Sequence, residues 1–115
     1  FKRFCVPNVS NSSNTTLYAV PAGASSAALE SIVIGITMAN KTSSGITASI
    51  FIDNEDGSND VYIVKDASIP AGSSLEVMSG NKLVLQNDGT NGDNLEALCS
   101  AASSLDVTVS VLEDV

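Results

Sequence analysis

The chain has 115 residues, enough for one domain with one modest core. It carries 5 Lys+Arg against 13 Asp+Glu, a net charge of −8, and neither His nor Trp. That balance excludes a basic nucleic-acid surface and removes the commonest general base and metal ligand; with 43% hydrophobic residues it also excludes a disordered chain.

The first segment differs from the rest. Phe1-Lys2-Arg3-Phe4 joins two aromatics to two cations. Polar Asn and Ser follow where the apolar part of a leader would stand, so no leader is expected. The acidic residues begin only at Glu30. Residues 1–14 therefore read as an extended N-terminal arm, opposite in charge to a body at 15–115. Two Phe beside two cations make an anchor, with apolar wedges and charges for a partner's carboxylates. Phe1, Lys2, Arg3 and Phe4 are candidate partner-binding residues, and residues 8–14 a tether. The plainer reading is a frayed terminus.

Beyond the arm the signal is period-two alternation between turn residues. Thr16–Val20 is a short strand candidate. In the next run Ile32, Ile34, Ile36 and Met38 alternate with Val33, Gly35, Thr37 and Ala39. Ile46, Ala48, Ile50 and Ile52 repeat the pattern, then shorter stretches at Val61–Val64, Leu75–Met78, Leu83–Gln86 and Leu95–Cys99. Leu105, Val107, Val109 and Val111 close the series. About eight strands so spaced predict an all-β fold, a single antiparallel β-sandwich of jelly-roll type. The expected core is Ile32, Ile34, Ile36, Ile50, Ile52, Ile63, Leu75, Leu83, Leu85, Val107, Val109 and Val111. The Ala/Ser-rich stretches Ala22–Glu30 and Ala97–Leu105 are too short for stable helices and read as strand or loop.

Val20-Pro21-Ala22-Gly23 and Ile69-Pro70-Ala71-Gly72 repeat one motif. Pro cannot donate to a central ladder and Gly permits positive φ, so each marks a tight connection. A duplicated half-sheet would explain the pair; two similar turns is the plainer account. Asp53–Asp60 and Asn87–Asn94 are polar hairpin tips with Asn/Asp-Gly turn chemistry.

Few residues suggest chemistry. Cys5 and Cys99 fit no metal spacing and read as two free thiols. The Asn-x-Ser/Thr triplets at Asn8, Asn11, Asn14 and Asn40 read as composition. No motif frames a Ser–Lys pair, and paired carboxylates lack aromatic platforms, so no enzyme and no cofactor is expected. Asp53, Glu55, Asp56 and Asp60 offer hard oxygen ligands, but the spacing departs from an EF-hand and reads as solubility, with no metal expected. Val33, Met38 and Phe51 are assigned to second, partner-facing strand faces. They predict a homo-oligomer, a trimer, built on those faces.

The order of several blocks resembles a family of small virion structural proteins of tailed, mostly marine, phages. The blocks are Leu17-Tyr18-Ala19-Val20-Pro21-Ala22-Gly23, Ile34-Gly35-Ile36, Ala39-Asn40 with Thr42-Ser43-Ser44, and Tyr62-Ile63-Val64-Lys65-Asp66. Ile69 to Glu76, Lys82-Leu83-Val84-Leu85 and Ser110-Val111-Leu112-Glu113 complete them. The sequence departs from the pattern at Asp53–Asp60 and Asn87–Asn94. The resemblance implies a non-enzymatic component of the phage particle, located on the virion surface. Its partners would be the major capsid protein, other virion proteins and itself. A capsid decoration (cement) protein is the first expectation, and a tail, neck or fibre module, with receptor binding, the alternative.

Overall fold

The computed structural model describes residues 1–54, 60–78 and 80–113. Within them the alternating segments form β1 (Lys2–Val6), β2 (Thr15–Ala19), β3 (Leu29–Asn40), β4 (Ile46–Asp53) and β5 (Asp60–Ile69). β6 (Ser74–Glu76), β7 (Leu83–Asn87), β8 (Asn94–Cys99) and β9 (Leu105–Glu113) follow. No α-helix forms among the described residues, and the Ala/Ser stretch after Pro21 holds a single 3-10 turn, Ala24–Ser26.

Every pairing is antiparallel. Sheet A runs β1-β9-β3, with β6 and β7 both on the far side of β3; sheet B runs β2-β8-β4-β5. β6 pairs with Thr37–Ala39 and β7 with Leu29–Val33, so the two serve as one interrupted strand. With β6 and β7 taken together, this is the strand order of a jelly roll: two four-stranded sheets packed face to face.

The N-terminal segment is extended, and its place is on the sheet. Lys2 lies opposite Val111 and Val6 opposite Val107, so β1 is the edge strand of sheet A. The backbone of β9 would otherwise present unpaired groups on that side, and Phe4 and Val6 find apolar cover there. The tether is pinned as well: Val9 is buried and its N–H donates to the Leu105 carbonyl at 2.9 Å. The expected boundary at residue 14 therefore does not part an arm from a body.

Alternation assigns the core, but its parity changes inside β3. Pairing with β9 shifts register between Val33 and Gly35, which makes Ile34 the extra residue of a β-bulge. Ser31 and Val33 face inward before the bulge; Ile36, Met38 and Asn40 face inward after it. Ile34, expected in the core, is turned outward and is 38% exposed. Ile32 is half-buried on the same outer face. Val33 and Met38, expected to face a partner, are 0% exposed and belong to the chain's own core. Ile50, Leu85, Val107, Val109 and Val111 are buried as the pattern predicts, while Ile52, Ile63, Leu75 and Leu83 pack at the core margin.

Candidate functional site

Of the seven candidate partner-binding residues, the structure gathers four on β1 or beside it. Phe1 stands free in front of the strand, 91% exposed. Arg3 lies opposite Ser110, on the outer face of sheet A, with Cys5 next along that face opposite Thr108. Lys2 and Phe4 take the other side, where they fasten β1 to the sandwich. Lys2 Nζ lies 2.8 Å from Glu113 Oε1. The Phe4 ring packs on Tyr18 with centroids 5.0 Å apart.

Tyr18 is the centre of that fastening. Its hydroxyl donates to Glu113 Oε2 at 2.7 Å and lies 2.7 Å from Ser31 Oγ. The phenol has one proton, already given to the carboxylate, so Ser31 donates to Tyr18. Burial, then the Glu113 hydrogen bond, push the phenol up to about 12. The Lys2 ammonium, then the Tyr18 hydroxyl, hold the Glu113 carboxyl below its ordinary value. The cluster ties β1, β2, β3 and β9 together across both sheets. Every group in it is satisfied, which suits a fastening and leaves no free base or nucleophile.

Phe51 does not join β1. It lies on the outer face of sheet B, opposite Tyr62 on β5 and Glu96 on β8. The Tyr62 ring covers it with centroids 5.2 Å apart, and Lys65 Nζ sits 4.5 Å from the Tyr62 centroid. Phe51 is therefore only 2% exposed, and its cover comes from its own chain. With Val33 and Met38 in the core, none of the three residues is exposed to form the interface expected of them.

Sheet B carries negative charge at one end. Asp53 and Asp60 lie directly opposite each other. Burial, then the Asp53 charge, push the Glu96 carboxyl up, with a smaller push from Asp60. Glu55 and Asp56, the other oxygen donors considered for calcium, lie outside the described residues. Among the described residues no three His, Cys, Asp or Glu side chains are grouped to hold a metal. Next to this end a shallow groove of about 340 Å³ is lined by Ile52, Asn54, Val61, Val84, Gln86 and Asp93.

The two Pro-Ala-Gly turns are held by residues that alternation gives no reason to single out. Asn40, at the end of β3, is 2% exposed. Its Nδ2 donates to the carbonyls of Ser44, Ile69 and Pro70 at 2.8, 3.1 and 3.2 Å. Its Oδ1 accepts from the N–H and hydroxyl of Thr42. Asn87, at the end of β7, donates to the Val20 carbonyl at 2.9 Å and accepts from the Gly89 N–H at 2.7 Å. The amide of Asn40 is thus fully engaged in the fold and closed to glycan attachment. Both cysteines are free thiols: Cys5 exposed, Cys99 buried.

No family model matches the chain, and no curated protein matches it. Solved structures do. One is a chain from the structure of infectious bursal disease virus, Gx strain, at 14% identity and a TM-score of 0.44, over 96% of this chain and 29% of that one. Another is the STIV MCP, at 12% identity and a TM-score of 0.30, over 95% of this chain and 48% of that one. The chain thus spans less than half the length of either.

No helix among the described residues is long and apolar enough to cross a membrane.

Proposed function

We propose that the chain is a non-enzymatic structural protein of a phage virion, a decoration (cement) protein that bridges neighbouring capsid subunits at the particle surface. One observation carries this reading. The blocks that resemble small virion proteins are spent on holding the fold. Asn40, Thr42 and Ser44 meet Ile69 and Pro70 in a single lock around the buried Asn40 amide. Tyr18 and Glu113, from the first and last blocks, meet in the fastening of β1. Such blocks serve rigidity rather than reaction, which fits a particle component. Jelly rolls also recur in viral capsid and lectin domains.

A decoration protein works by mass action. It binds the assembled shell better than the separated subunits and stabilises the shell by that difference. Phe1 and Arg3, the free members of the N-terminal set, are the proposed contacts to the major capsid protein. Lys2 and Phe4 hold the strand that presents them. Quantitative mass spectrometry of purified virions tests the assignment. Hundreds of copies per particle support a head decoration protein; a few to several tens place it instead in the tail, neck or fibre.

A further inference from the structure

The outer face of sheet A carries a row of apolar side chains. Val84 on β7 lies opposite Ile32 on β3, and Ile32 lies opposite Leu112 on β9. Phe1 stands just before Lys2, at the β1 end of this row. The row thus crosses three strands, with Ile34 beside it. Phe1 is 91% and Val84 59% exposed. A sheet face turned to water is ordinarily polar, and three apolar neighbours in a line across strands depart from that.

The two flanks of the row differ in charge. Arg3 and Lys82 lie on one flank, the first opposite Ser110 and the second just before Leu83. Glu30 lies on the other, opposite Gln86. The described ion pairs, Lys2–Glu113 and Lys41–Asp106, use none of these three residues. A surface with an apolar centre, cations on one flank and an anion on the other is complementary to itself when turned over.

We propose that this face is a two-fold interface between two copies of the chain. An axis along the row lays row against row and reverses the flanks. Lys82 of each copy then meets the partner's Glu30, so one closed, isologous contact holds the charge pair twice. A partner of another kind would need its own matching flanks, whereas a second copy supplies them. The pair uses the face that carries Phe1 and Arg3, so it is a state of the free chain in solution, which capsid binding through those two residues would displace.

Sedimentation equilibrium tests it. The chain should show a monomer–dimer equilibrium. Val84→Asp should weaken it about 100-fold by putting a charge in the apolar centre. Glu30→Lys and Lys82→Glu should each weaken it about 10-fold or more, since each sets like charges together twice. The double variant should restore association, and circular dichroism should show the fold of all four variants unchanged. A monomer at about 100 μM, beyond ordinary specific affinities, would overturn the proposal. So would a Val84→Asp chain that dimerises as well as the parent, or a double variant no tighter than the singles.

Discussion

Asn40 and Asn87 do the same work at opposite ends of the sandwich. Each ends a strand of sheet A. Each side-chain amide donates to the carbonyl of the residue before a Pro-Ala-Gly turn, Ile69 for Asn40 and Val20 for Asn87. Each side-chain oxygen accepts the N–H two residues on, from Thr42 and Gly89. Asn87 lies opposite Leu29, at the far end of β3 from Asn40. The correspondence continues strand by strand. β2, β3 and β4 have counterparts in β5, β6 with β7, and β8, and sheet B reads β2-β8-β4-β5, which maps onto itself when the two sets are exchanged. The repeated motif in the sequence thus marks two corresponding joints between sheet B and sheet A: a tight turn with positive φ at Gly72, and a longer connection that is extended at Gly23.

Losing either lock takes a donor from a buried carbonyl, that of Ile69 for Asn40 and that of Val20 for Asn87. Asn40→Ala and Asn87→Ala should each lower the unfolding free energy by about 1–3 kcal/mol, read from urea midpoints. Gly92→Ala should act like Asn87→Ala, because an added Cβ would press on the Asn87 amide and the Val20 carbonyl. Gly72→Ala meets no such obstacle in space and carries only the strain of its positive φ.

The bulge at Ile34 predicts a contrast between two large apolar residues. Leu85→Ala should cost on the order of 2–5 kcal/mol, since Leu85 is fully buried between the sheets. Ile34→Ala should cost within about 0.5 kcal/mol, as for other surface substitutions. Equal losses would mean that Ile34 faces the core and that the bulge is absent.

Stability should have an acid limb and an alkaline limb. Glu113 and Asp106 are held below their ordinary values, chiefly by hydrogen bonds from Lys2 and Lys41. Their contribution is present above the unfolded carboxylate range and is lost as pH falls through the folded values. Tyr18 has the opposite sign. Its contribution is complete below 10.0 and is lost as pH rises toward about 12. Tyr18→Phe should remove the Tyr18 part of the alkaline limb and weaken the acid limb by releasing Glu113. Thermal melts of both proteins across pH check this.

Glu96 reports the strain of the acidic end. Burial and the Asp53 charge disfavour its ionised form, so its folded value is raised. Its ionisation therefore costs stability once pH rises above the unfolded carboxylate range. Glu96→Gln should stabilise the chain at neutral pH, and the gain should shrink in acid. A variant less stable than the parent at pH 7 would contradict this.

Much of the fold is legible in the residues, because antiparallel strands with one buried face must alternate. Leu105 to Val111 do so cleanly, and Ile46, Ala48 and Ile50 sit in the core as their pattern puts them, with Ile52 at its margin. The β3 run is also regular in sequence, and there the regularity misleads. Ile32, Ile34 and Ile36 alternate without a break, while the backbone spends one extra residue at Ile34. Nothing in a run of Ile and Val announces which residue is skipped, since any of them packs on either face. That shift of parity moves Val33 into the core and Ile34 out of it. Phe51 fails for another reason: the aromatic that covers it, Tyr62, lies on a different strand. The locking roles of Asn40 and Asn87 had one sequence signal, the repeated Pro-Ala-Gly turn, which shows the joints but not the residues that close them.

Particle binding tests the central claim most directly. Purified chain is titrated onto capsids that lack it, and the temperature at which the shells rupture is recorded at each step. A decoration protein should bind saturably, with copies in fixed proportion to capsid subunits, and should raise the rupture temperature as sites fill. Capsids that bind no protein at micromolar concentration, or that bind it and rupture at an unchanged temperature, would contradict the account.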